Sequence, residues 1–246
     1  MAWQEREDAI LGYLGKHKEA TVGELCEALF VSEPTMRRDL ARLNASGKII
    51  RTYGGASLRN EPGENLPLIL REREHSDAKA TIGRKCLSLI RDGDVIMVDG
   101  SSTAQALLKL IGTKNSVVVI TNSAKAPFLI EEGQVKLFVT GGELLPNTYT
   151  FVGTEAEDFL RSFTADLCFF SVRTLTQAGE LTDNALAENA LRRVMLARAK
   201  KSVLMLDSQK LGEGCLHTLC TLQDIDLVVS EEDIGEHFPA YRDRFI

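Results

Sequence analysis

Apolar residues in the first part of the chain recur at the three- and four-residue spacing of helices. Ile10, Leu11 and Leu14 mark the inner face of a helix over about residues 4–17. Thr21 then precedes "VGELCEAL" with Glu24 three positions on, the capping-box pattern that opens a second helix. After the short turn "FVS", Ser32 stands as the cap of a third helix and Pro34 in its first turn, where a missing N–H costs nothing. Met36, Leu40 and Leu43 form its inward stripe, which turns Thr35, Arg38 and Arg42 outward, leaves Arg37 at the boundary, and has Gly47 as the stop. "KIIRTYGGAS" reads as two short strands around a turn.

The pattern changes after a charged connector at 58–75, which holds two prolines and one apolar patch, Leu66 to Leu70, expected to dock on a domain. An amphipathic helix, "DAKATIGRKCLSLI", leads into short apolar runs at 95–98, 116–121, 135–140, 167–172, 202–207 and 226–230. Helical patterns at 103–111, 154–162 and 184–200 separate several of them. Continuous apolar strands alternating with helices predict an α/β domain with a mainly parallel sheet covered on both faces. The expected organisation is a helix-turn-helix unit with a wing over 1–57, a connector over 58–75, and the α/β domain over 76–246.

Composition narrows the class. At 246 residues and 44% hydrophobic, the chain has enough apolar mass for one large or two ordinary domains. No run approaches the roughly 18 apolar residues of a membrane span, and the charged start "MAWQERED" lacks a signal peptide's apolar core, so a cytoplasmic protein is expected. Five scattered cysteines suit free thiols in a reducing compartment. "CLHTLC", around His217, puts three soft ligands on one segment with no second pair elsewhere, which suits buried thiols better than zinc.

Charge adds what the total of -6 hides. Residues 1–36 carry three basic and seven acidic side chains, a balance of -4; residues 37–57 carry five basic ones against Asp39, a balance of +4. A basic face on the second helix of a helix-turn-helix suits the DNA major groove. There Ser32, Thr35, Arg37 and Arg38 would reach base edges and phosphates, while Arg51 and Tyr53 on the wing would follow the backbone. A hairpin with merely solvated arginines would need neither the cap, the turn, the stripe nor the basic wing, and here they occur in order.

In the α/β domain, ligands are expected at the C-terminal ends of the strands. "DGSST" follows the first strand, so Gly100, Ser101, Ser102 and Thr103 fall at a helix start beside Asp99, a place that favours an anion. Thr121, Asn122 and Ser123 end the second strand, Gly141 and Gly142 follow the third, and Lys210 follows the fifth. The turn is neither a P-loop nor G-x-G-x-x-G, which argues against nucleotide hydrolysis.

"VSEPTMRRDLARLNASGKIIRTYGGAS" resembles the signature of the DeoR family of bacterial transcriptional regulators, with Pro34 at a variable site and Tyr53 where histidine is usual. The likeness continues through "DGDVIMVDGSST", "VVVITNS", "TGGELL", "VGTEAEDFL", "LTDNALAENALRRVMLARAKKSVLMLDSQKLG" and "LQDIDLVVS", which are similar to the family's effector domain and so to ribose-phosphate isomerase-like folds. The resemblance implies a DNA-binding set of Thr21, Ser32, Glu33, Thr35, Arg37, Arg38, Arg42, Arg51 and Tyr53. It adds Glu188 to the effector set and puts Arg192 where the family has lysine. Gly100 comes earlier than the family's glycine, and "SVRTLTQ" brings Arg173 toward the ligand where small residues are usual.

Two functions are weighed. A sugar-phosphate isomerase-like enzyme would need a carboxylate base, and no spacing singles one out among Asp99, Asp183, Glu188 and Asp207. A DNA-reading unit would also lack purpose on such an enzyme. The expectation is a non-enzymatic regulator of a carbohydrate-metabolism operon that partners operator DNA. It would be a repressor, relieved by a phosphorylated sugar or polyol, acting as a homo-oligomer without cofactor, metal or membrane.

Overall fold

The computed structural model describes residues 3–17, 19–46, 48–58, 67–130 and 133–246. The chain forms two compact units, Met1–Arg73 and Glu74–Ile246.

In the first unit, helices α1 (Trp3–His17), α2 (Val22–Leu29) and α3 (Glu33–Ala45) pack on a small antiparallel sheet. Its strands β1 (Glu19–Thr21), β2 (Ile49–Thr52) and β3 (Gly55–Leu58) lie in the order β1-β3-β2. Helix α4 (Leu68–Arg73) completes the unit and puts Leu70 into its core; Leu66 lies outside the described residues. Ile10, Leu11, Leu14, Leu25, Met36, Leu40 and Leu43 are fully buried together, as their spacing required. The Thr21 box forms: its hydroxyl accepts from Glu24 N–H, and the Glu24 carboxylate accepts from Thr21 N–H at 2.7 Å.

One expectation for α3 changes. Ser32 holds the N-cap backbone angles, yet its side chain makes no capping bond. Pro34 removes the N–H at the second helical position, and the Ser32 hydroxyl donates to Thr35 Oγ1 at 3.0 Å instead. Helix α3 ends at Ala45, with Ser46 as C-cap and Lys48 N–H donating to Leu43 O; Gly47 lies outside the described residues. Asp39, in the middle of "RRDL", points inward and accepts from Arg6 Nε at 2.6 Å and Nη2 at 3.3 Å, tying α3 to α1.

The second unit is built on six parallel strands: β4 (Val95–Val98), β5 (Val118–Thr121), β6 (Lys136–Val139), β9 (Ala165–Phe170), β12 (Ala199–Met205) and β14 (Leu227–Val229). Their order is β14-β12-β9-β4-β5-β6. Side chains alternate between two cores, one on each face. Ile96, Val98, Leu167, Phe169, Val203 and Met205 pack against α5 (Ser76–Leu89), α6 (Ser102–Leu108) and α7 (Ala126–Leu129). Met97, Cys168, Phe170 and Leu204 pack against α8 (Thr154–Arg161) and α9 (Leu186–Arg198). Burial on both faces is why the central strands are continuous apolar runs, while edge strand β6 and the start of β12 carry exposed lysines.

Two smaller sheets escape the apolar-run reading because their strands are short and mixed. Strands β7 (Glu143–Leu145) and β8 (Thr150–Val152) form a hairpin. Strands β10 (Thr174–Leu175), β11 (Glu180–Asp183) and β13 (His217–Thr221) form an antiparallel sheet. Most of "CLHTLC" is thus strand. Cys215 and Cys220 are half-buried free thiols, Cys220 pushed up to about 12 mainly by burial, and no cluster of three ligating side chains occurs among the described residues. No helix among the described residues is long and apolar enough to cross a membrane.

Candidate functional site

On the first unit, Arg37 and Arg38 are exposed, and no hydrogen bond or ion pair ties the Arg38 guanidinium among the described residues. Arg37 pairs with Glu33 one turn back at 2.6 Å. Arg51 sits on the wing, with its N–H donating to Asn44 Oδ1 and its Nη1 to Arg37 O at 3.4 Å, so the wing runs beside α3. Tyr53 projects fully into solvent, and Gly54, at φ +86°, makes the wing turn. A Cβ on Gly55 would lie 2.1 Å from Ala20 O, so only glycine lets the wing strand β3 pair this closely with β1. Ser32, Glu33 and Thr21 are exposed and Thr35 half-buried.

Two basic residues are less available than their sequence positions suggest. The Arg42 guanidinium lies over the Trp3 ring at 4.3 Å, and Lys48 pairs with Glu7 at 2.7 Å. Arg37 is ion-paired as well, so of the five basic residues in 37–57 Arg38 and Arg51 are the two with neither a carboxylate nor a ring partner among the described residues.

On the second unit, strand order reverses between β4 and β9: the chain winds outward from β4 through β5 to β6, then resumes at β9 and continues to β12 and β14. A crevice forms at the C-terminal ends of strands at such a switch point. Asp99 leaves β4 there, and its carboxylate accepts from Ser101 N–H at 3.1 Å and Ser171 N–H at 3.4 Å. Ser101 caps α6 by accepting from Ala104 N–H. From beyond β12, Lys210 Nζ donates to Ser171 Oγ at 2.8 Å and Thr103 Oγ1 at 3.2 Å, with Asp207 at 3.6 Å. Ser102 lies beside them in the first turn of α6, buried like Thr103.

A buried charge cluster floors the crevice. Arg192, on α9, donates to Asp99 Oδ2 and Asp183 Oδ2, both at 2.9 Å, and to Asn189 Oδ1. Burial works to lower the Arg192 pKa, but Asp183, Asp99 and Glu188 outweigh it and hold the guanidinium above its ordinary value. Glu188 accepts from Thr150 Oγ1 at 3.2 Å, and Thr150 pairs with Thr148 at 2.6 Å. Asp99, Gly100, Asn122, Glu188 and Arg192 line one small cleft. A Cβ on Gly100 would meet Thr150 Cγ2 at 2.2 Å, so the turn must be bare there. Asn122 donates to Phe151 O, while its Oδ1 is buried without a partner among the described residues, as are both amide atoms of Gln105.

The remaining candidates fall around this centre. Thr121 Oγ1 accepts from Ser123 N–H and Ser123 Oγ from Lys125 N–H, so both hydroxyls brace the turn after β5. Gly141 (φ +69°) and Gly142 (φ +102°) make the turn from edge strand β6 into the hairpin. A Cβ on Gly142 would lie 2.6 Å from Val152 O. Arg173 donates its backbone N–H to Thr182 O, and its half-exposed side chain makes no hydrogen bond among the described residues. Ser171, Thr150 and Gln105 were not among the residues the sequence singled out, and Asp183 was weighed there only as a carboxylate base for an enzyme. Ser171 alone had a signal, as the first residue past β9 on the edge where ligands are expected.

Comparisons with known proteins agree with this architecture. Residues 6–61 match the DeoR-like helix-turn-helix domain, and residues 74–232 match the DeoR C terminal sensor domain. The HTH-type transcriptional repressor GlcR of Bacillus subtilis is 30% identical over 244 residues, 99% of this chain and 94% of that protein. The L-fucose operon activator of Escherichia coli K12 is 32% identical over 232 residues, 92% and 94% of the two chains. A ribose 5-phosphate isomerase from Methanocaldococcus jannaschii superposes with a TM-score of 0.43 at 18% identity over 56% of each chain. The family matches favour a regulator over the isomerase alternative. Matched in both units and aligned nearly end to end with a 30% identical relative, the chain belongs to the DeoR family of DNA-binding transcriptional regulators.

Proposed function

We propose that the protein is a cytoplasmic repressor that leaves its operator when the crevice at the β4/β9 switch point binds a phosphorylated sugar or polyol. The observation that carries this reading is the meeting of Lys210 with Thr103 and Ser171 beside the bare Asp99–Ser102 turn. An ammonium, hydroxyls and the free N–H groups of a helix's first turn suit phosphate oxygens. The acceptors Glu188 and Asn122 Oδ1 then suit the hydroxyls of the same ligand. Gly141, Gly142, Thr121 and Ser123 shape the rim, and Arg173 gives a second cation for an anionic ligand. On the first unit, Ser32, Thr35, Arg37 and Arg38 read the groove, with Thr21, Glu33, Arg42, Arg51 and Tyr53 along its edges.

Helix-turn-helix proteins typically bind as dimers with recognition helices about 34–36 Å apart, so a ligand that alters subunit packing alters that spacing. Coupling is reciprocal: a ligand that weakens DNA binding by some factor is itself weakened by DNA by the same factor. A thermal-shift screen with pentose and hexose phosphates and polyol phosphates tests the site. A ligand at one hundred times its Kd should stabilise by about 2.7 kcal/mol. Gel shifts with the hit should show release; tighter DNA binding with ligand would make the system a corepressor one and overturn the proposal.

A further inference from the structure

Phe30 ends α2 in the left-handed region, at φ +53° and ψ 43°. Glycine or asparagine takes that conformation readily, whereas a bulky side chain is strained in it. The backbone geometry has a clear purpose, since Phe30 N–H and Val31 N–H both return to Cys26 O and make the turn into α3. The ring serves nothing inside the unit: Phe30 is 96% exposed, while Leu25, Met36 and Leu40 around the same turn are fully buried. A strained residue thus presents a large apolar group to water.

What covers the ring follows from its place in the chain. Two residues on is Ser32, the N-cap of α3, and two residues of backbone span at most about 7 Å. A recognition helix enters the major groove by its N-terminal half, and exposed Ser32, Glu33 and Arg38 begin that half here. Arg38 is the cation that complements the phosphates. The ring is continuous with this surface and stands where a groove edge passes, with thymine methyl groups and deoxyribose carbons as its apolar atoms. We propose that Phe30 is an apolar contact to operator DNA, placed just ahead of the recognition helix. The inference rests on the DNA-reading role of the first unit.

The test uses the full-length protein and a duplex that the wild type enriches from a random-sequence pool. Phe30→Asn should weaken binding to that duplex about tenfold, with the slope of log affinity against log salt unchanged, because no phosphate contact is lost. Its Tm should equal or exceed that of the wild type, since asparagine tolerates the turn. Arg38→Ala serves as the contrast, lowering both affinity and salt slope. A copy of the duplex with uracil for thymine separates the two sources: a Phe30-dependent loss on uracil assigns the contact to methyl groups, and an unchanged Phe30 effect assigns it to the sugars. Phe30→Asn affinity within twofold of wild type overturns the inference, as does a loss that tracks dissociation of subunits in sedimentation. Failure of the wild type to enrich any duplex would instead strike the DNA-reading role itself.

Discussion

Gly100→Ala probes how the crevice is built. The new Cβ would lie 2.2 Å from Thr150 Cγ2, well inside the 3.4 Å at which ordinary contact begins. Thr150 cannot simply rotate away. It is fully buried, its hydroxyl holds Glu188 Oε1 at 3.2 Å, and it pairs with Thr148 at 2.6 Å. Overpacking of this kind costs about 1–3 kcal/mol, which lowers Tm by about 2–12 °C for a unit of this size. Displacing Thr150 also moves the Glu188 carboxylate, so affinity for the sugar phosphate found by screening should fall more than tenfold while DNA binding without ligand is kept. The control is Thr150→Ser, which deletes the one clashing methyl group and leaves the hydroxyl. Thermal melts and calorimetric titrations of Gly100→Ala, Thr150→Ser and the double variant form a cycle in which the double variant recovers both stability and ligand affinity. A Gly100→Ala protein as stable as wild type, or a double variant no better than the single one, would show that Thr150 is not what keeps position 100 bare.

Other outcomes follow from the same structure. Arg192→Met strands Asp99 and Asp183 in the core and should cost about 3–5 kcal/mol, or about 6–20 °C of Tm, in melts at pH 7. Arg38→Ala should cost about 1–3 kcal/mol of operator affinity if it reads guanine, and Arg42→Ala less, because Arg42 stacks on Trp3. Burial alone would raise the Glu231 pKa, but donors from Ser208 and Ser230 outweigh it and hold the carboxyl below its ordinary value. Its contribution is therefore complete at neutral pH and lost as pH falls through that lowered value. Because Ser208 heads the turn that carries Lys210, the difference in ligand affinity between wild type and Glu231→Gln should be full at neutral pH and vanish as pH falls through that lowered value. Glu231→Gln should weaken ligand binding already at pH 7; equal affinity for the two proteins would refute the coupling.

Local chemistry made much of this protein legible in the sequence. The capping box at Thr21, the Met36–Leu40–Leu43 stripe and the apolar central strands are short-range patterns, set by helical spacing and by burial on both faces of one sheet. The strand ends also named Asp99, Ser101, Asn122 and Lys210 as candidates, since a parallel sheet brings its C-terminal ends to one edge. What no local pattern could decide was which of those ends meet. The reversal of strand order between β4 and β9 put Ser171 against Lys210 and Asp99, and α9 crossed to set Arg192 between two aspartates far apart in the chain. In the first unit the sequence counted Arg42 and Lys48 as free charge, and only packing against Trp3 and Glu7 tied them down. Spacing along a chain fixes which face a side chain occupies; what stands opposite that face depends on the topology that closes the fold.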